Sequence, residues 1–163
     1  MATTTQKSGK KDLNLDEKIV IRSIADWKTT FTRIDNGAPV VLTKRGTFTL
    51  PRNEVIAQCN NSNRLFIGTD GIGSHATLII EDAPTRIELG FETEDGSQKQ
   101  LCFNDSLVKE TFGIANQSAF QEAFKEAFVT RAEYHAVIDA IKRLNLNDYN
   151  KIRFVEKYTG ISL

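Results

Sequence analysis

Histidine and cysteine, the residue types that most often build catalytic and metal centres, are scarce in this chain. It has two of each, His75, His135, Cys59 and Cys102. None of the four stands at a catalytic or metal-ligand spacing from another. That scarcity points away from enzymes and cofactor proteins and predicts no cofactor. An excess of charge is also missing, with 21 basic and 21 acidic residues. The balance holds locally, at 9 basic and 10 acidic groups over residues 19–103 and 8 of each over 104–163. A balanced chain sets up no general field for DNA, RNA or an acidic membrane. No stretch approaches the roughly 18 apolar residues of a membrane span. The first residues contain no apolar core of a secretory signal. The two cysteines read as buried thiols of a reducing compartment, because a chain of this size needs no disulfide.

What is present is patterning. A chain of 163 residues is one domain by default. It can bury about two-thirds of its unfolded surface. Residues 1–17 are rich in Thr, Lys, Gly and Ser and predict a disordered polar arm in which Lys7, Lys10 and Lys11 carry charge without an acid among the first eleven residues. Residues 18–103 read as a β-rich body. An apolar run over 19–24 and the alternation around Trp27, Thr29, Phe31 and Arg33 suit strands. Strands over 40–43 and 47–50 flank Lys44, Arg45 and Gly46, the pattern of a tight hairpin with Gly46 at positive φ. Residues 53–59 predict a short helix capped by Asn53. Further strands are expected over 64–68, 75–80, 86–92 and 99–103. The result would be roughly seven strands, mostly antiparallel, in a small barrel or sandwich of the α+β class.

After Asn104 the apolar period changes from 2 to 3.6. Residues 104–112 predict a helix closed by Gly113. The stripe Phe120, Phe124, Phe128 follows a capping pattern at Ser118 and Gln121. Thr130 and Glu133 form a second capping pattern, and Asn147 or Asp148 opens a last helix ended by Gly160. Residues 104–163 are thus a helical segment packed on the β-rich body.

Four features could carry chemistry. The glycines Gly68, Gly71 and Gly73 do not fit a dinucleotide fingerprint, which needs them between a strand and a helix. They read as a flexible loop on Asp70 and Gly71. His75-Ala-Thr77 resembles half of the paired His-x-Thr motif of two-histidine phosphoesterases, but the second copy would be His135-Ala-Val137, which lacks the hydroxyl and lies in a predicted helix. The acidic run Glu92, Glu94, Asp95 reads as a solvated turn. The final two helices present Asn150, Lys151, Arg153 and Lys157 in an arrangement a helix-turn-helix would use, offset by Asp148 and Glu156.

Ordered scaffold with sparse chemistry predicts a non-enzymatic structural or interaction protein. In its general build, a basic polar arm before a compact β-rich body with small helices, the chain resembles small accessory structural proteins of tailed-phage virions, such as a crAss-like phage auxiliary capsid protein or head–tail connector component. The resemblance implies a virion location, a multi-copy assembly and a protein partner, the major capsid protein or neighbouring copies. Outside that setting the expected location is cytoplasmic, with no membrane or nucleic-acid partner. Candidate contact residues are Lys7, Lys10 and Lys11 in the arm and Gly71, Ile72 and Gly73 in the loop, where Ile72 is an odd choice for water alone. Two other classes stay open: a nucleic-acid-binding regulator using the last two helices, and a small hydrolase using His75.

Overall fold

A computed structural model describes residues 12–163. Lys7, Lys10, Lys11 and the greater part of the expected arm lie outside the described residues. Five strands and seven helices are described: β1 (Lys18–Ser23), β2 (Thr29–Thr32), β3 (Pro39–Leu42), β4 (Thr47–Pro51), α1 (Arg52–Asn60), α2 (Arg64–Ile67), β5 (Leu78–Ile80), α3 (Ala83–Glu88), α4 (Asp105–Phe112), α5 (Gln117–Ala127), α6 (Arg131–Arg143) and α7 (Tyr149–Thr159). The strands form two small antiparallel sheets, β4-β1-β5 and β2-β3. The molecule is α+β, but the seven-strand barrel or sandwich is overturned.

Two local causes account for much of the difference. Residues 64–67 and 83–88 are helices because each is preceded by a side chain that satisfies its first free N–H groups. Asn63 Oδ1 accepts from Leu65 N, and Asp82 accepts from Thr85 N with a proline in the first turn. Residues 99–103 join no strand. His75 sits at φ 60, a left-handed conformation that delays the following strand until Leu78. The expected 40–50 hairpin is also absent. β3 pairs with β2 and β4 with β1, so Lys44, Arg45 and Gly46 carry the chain between sheets, and Arg45 rather than Gly46 takes the positive φ of 51.

Helix α1 starts without a side-chain cap. Its leading N–H groups are met by backbone instead, Arg52 N donating to Glu17 O and Asn53 N to Leu15 O. The segment just before β1 is therefore tied to α1, and the buried Arg52 adds bonds to Asp82, Thr85 and the carbonyl of Asn14. The polar face of α1 holds the second sheet. Buried Glu54 accepts from Ile34 N at 2.8 Å and Asp35 N at 3.1 Å, while Gln58 donates to Thr32 O at 2.8 Å.

Apolar burial divides into two clusters. One lies under the β1 face bearing Ile19 and Ile21, with Val40, Leu42, Leu50, Val55, Phe66, Leu78 and Ile80. The other is helical. Phe120, Phe124 and Phe128 are fully buried, and Phe124 meets Phe120, Phe128, Phe154 and Tyr158 at centroid distances of 5.0–6.0 Å. The stripe thus joins helix to helix. The sheet reaches this second cluster through Ile79, on the opposite face of β5 from Leu78 and Ile80, together with Ile24 and Ala25 just after β1.

Candidate functional site

The loop over residues 68–75 links the end of α2 to the approach of β5, and its shape follows from its glycines and one aspartate. Gly68 has φ 69, and a Cβ there would stand 1.9 Å from the carbonyl oxygen of Ser74. Only glycine lets the two ends of the loop touch. Asp70 Oδ1 accepts from both Ile72 N (2.9 Å) and Ser74 N (3.1 Å). Burial raises the Asp70 pKa, but these bonds outweigh it and hold the carboxyl below the usual range. Gly73 lies against Phe91 and Gln100, whose amide donates to Gly73 O. The loop is bonded across its width, and it leaves Ile72 at the tip 43 % exposed. Gly71 at φ 81 makes the turn beside it.

At the base of this loop His75 meets Glu133 of α6, whose spacing from Thr130 in the sequence signals only a helix cap. His75 Nδ1 lies 2.8 Å from Glu133 Oε1. Glu133 Oε2 accepts from Val129 N (2.7 Å) and Thr130 N (3.0 Å), and Thr130 Oγ1 accepts in turn from Glu133 N, completing the capping box. The carboxylate is 1 % exposed and the imidazole 10 %. The contact with Glu133 fixes the orientation of the imidazole ring. His75 borders a cleft of about 360 Å³ with Arg64, Thr69, Thr77 and Thr130 on its walls. An oriented imidazole beside hydroxyls is the raw material of acid–base chemistry. Among the described residues, however, His75 bonds to Glu133 and Leu101, and no hydroxyl or thiol bonds to its ring.

The other candidate residues go elsewhere. His135 does not join His75: its Nδ1 is 3.8 Å from Asp26 and its ring meets the edge of Trp27. Cys59 and Cys102 are free, and burial pushes both thiols up to about 12. Among the described residues, no three His, Cys, Asp or Glu side chains are grouped to hold a metal ion. Glu92 pairs with Arg86 at 2.8 Å. Asp95 accepts from Ser97 N, which brings its pKa down to about 2. In α7, Lys151 turns inward, donates to Phe112 O and lies over the Phe120 ring at 5.4 Å, so it is lost to any outside ligand. Arg153 packs on Tyr149. The Gly-rich loop follows a helix and precedes coil, so it has no helix N-terminus to offer a phosphate.

No family model, curated protein or solved structure matches the chain. Among the described residues, no helix is long and apolar enough to cross a membrane.

Proposed function

We propose that the protein works by contact rather than by turnover, as a structural or interaction protein whose docking point is the 68–74 loop. One observation carries this reading: a loop braced by Asp70 and by glycine-only close approaches presents Ile72 outward. A braced loop loses little conformational entropy when it is covered, so more of the burial energy of an apolar tip goes into binding. An isoleucine fully buried at an interface contributes roughly 1.5–3 kcal/mol. Gly71 and Gly73 give the tip its shape. The partner is a protein surface, and the resemblance of the sequence suggests an accessory component of a tailed-phage virion, seated on the major capsid protein or on neighbouring copies. The test is Ile72→Asp, with melting temperature and assembly measured together. An unchanged melting temperature with lost assembly supports the contact. Unchanged assembly removes the loop from the account.

The His75–Glu133 contact favours one second reading, a small hydrolase. A screen against cyclic phosphodiesters and simple esters, with His75→Ala as control, separates the two. Turnover that disappears in the variant would replace the contact reading.

A further inference from the structure

A separate cleft of about 460 Å³ opens between the first sheet and the helical layer, remote in sequence from the 68–74 loop. Three arginines from distant parts of the chain line it: Arg22 of β1, Arg45 of the β3–β4 connection and Arg143 at the end of α6. Its floor includes Ile24, Phe103 and Ala136. The size is that of a small-molecule site, and the mix of an apolar floor with a few polar groups is the usual composition of one. Each guanidinium already has a carboxylate partner that a ligand would displace. Arg22 pairs with Glu81, Arg45 with Asp139 and Asp26, and Arg143 bidentately with Asp105 at 2.6 and 2.7 Å. Except for Asp26, the side chains of these carboxylates are more than two-fifths exposed. An exposed pair joined at one point, such as Arg22–Glu81, has little net stability, so an incoming anion can take the carboxylate's place while it turns to water; the bidentate Arg143–Asp105 pair is the firmer one. Arg45 is held to Asp139, but its fork is incompletely matched. Its backbone is in the left-handed region at φ 51, its contacts to Asp26 and to His135 O are long at 3.5 and 3.4 Å, and its buried Nε has no hydrogen-bond partner among the described residues. A buried donor left unmatched is the kind of group that a ligand oxygen completes.

We propose that this cleft binds a phosphomonoester with an apolar body. Three forked guanidiniums exceed what one carboxylate's two oxygens can match, whereas a phosphomonoester brings three terminal oxygens and close to two negative charges. The apolar floor takes the body of the ligand. This site is independent of the loop contact, and neither stands or falls with the other.

Isothermal titration of the full chain at low salt tests it, with phenyl phosphate as probe and inorganic phosphate and benzoate for comparison. Phenyl phosphate should bind saturably at one site and more tightly than either comparison anion. Arg143→Gln and Arg45→Lys should each weaken it about tenfold, the loss expected when a charge-assisted contact goes. Arg45→Lys keeps the charge and loses the fork, so it separates geometry from simple attraction. Arg153→Gln, on the far helix, should leave binding unchanged. Melting temperatures of all variants establish that they are folded. Absence of saturable binding by the wild-type chain, benzoate binding as tightly as phenyl phosphate, or equal weakening by Arg153→Gln would each overturn the proposal.

Discussion

At the scale of single residues, stability rests on side chains that a hydropathy pattern values very differently. Phe124 is legible: it lies mid-stripe and is fully buried among four aromatic rings. Phe124→Ala should cost about 3–5 kcal/mol, read as a shift of the denaturant midpoint at constant slope. Glu54 is not legible. It is a charged residue in a weakly amphipathic helix, yet it is 2 % exposed and receives two backbone N–H groups from the β2–β3 turn and one from Gln58. Glu54→Ala would take the acceptor from the Ile34 and Asp35 N–H groups, while Gln58 keeps its bond to Thr32 O, and each buried unpaired group costs about 1–3 kcal/mol. The expected loss is thus on the order of Phe124→Ala, although the residue looks like a solvated surface charge in the sequence. A loss under about 1 kcal/mol would show that the β2–β3 turn finds other acceptors.

At the scale of elements, the helices after residue 104 were readable because their signals are local. Asn104, Thr130 and Asp148 each precede a 3.6-period pattern and each does cap a helix. Only α5 begins earlier than its pattern suggests, at Asn116 in place of Ser118. The same chemistry at Asn63 and Asp82 was overridden by alternation: Ile87, Leu89 and Phe91 mimic a strand, although a capping aspartate with a proline two residues on is a helix start. Pairing was less accessible still. Val40 to Leu50 has the local pattern of a hairpin, and only long-range burial decides that its two strands belong to different sheets. At the candidate site the loop was legible from Gly68, Gly71 and Gly73, but Glu133 was hidden behind its role as a cap. The loop gives a sharp test of its own. Gly68→Ala places a methyl against the Ser74 carbonyl and forces a left-handed φ on alanine. It should lower the melting temperature and speed amide exchange at Ile72 and Ser74. A variant as stable and as protected as wild type would mean that the loop ends are not in contact.

At the scale of the whole molecule, acid sensitivity follows from paired aspartates. The Lys44 ammonium beside Asp26 and the Arg143 guanidinium beside Asp105 hold both carboxyls below the usual range. Burial raises Asp82, but bonds from Thr85 and Arg52 more than reverse it. Asp95 falls to about 2. Unfolded aspartates titrate near pH ~3.9. Below that value the unfolded chain takes up protons that the folded chain still refuses, so stability is full above it and falls as pH drops toward the folded values. Melting temperature should be flat above about pH 5 and decline below about pH 4. A flat profile down to about pH 3 would show that these bonds contribute equally in the unfolded chain.

The central position of β1 also governs how the chain comes into being. Lys18–Ser23 leaves the ribosome before both of its neighbours, Thr47–Pro51 on one side and Leu78–Ile80 on the other. Pairing across such separations is slow, and an unpaired strand is a template for another chain. For much of synthesis Ile19 and Ile21 therefore stand on an open edge that only later residues close. Nascent chains halted before Leu78 should cross-link to a chaperone or to one another, while chains carried well beyond Ile80 should not.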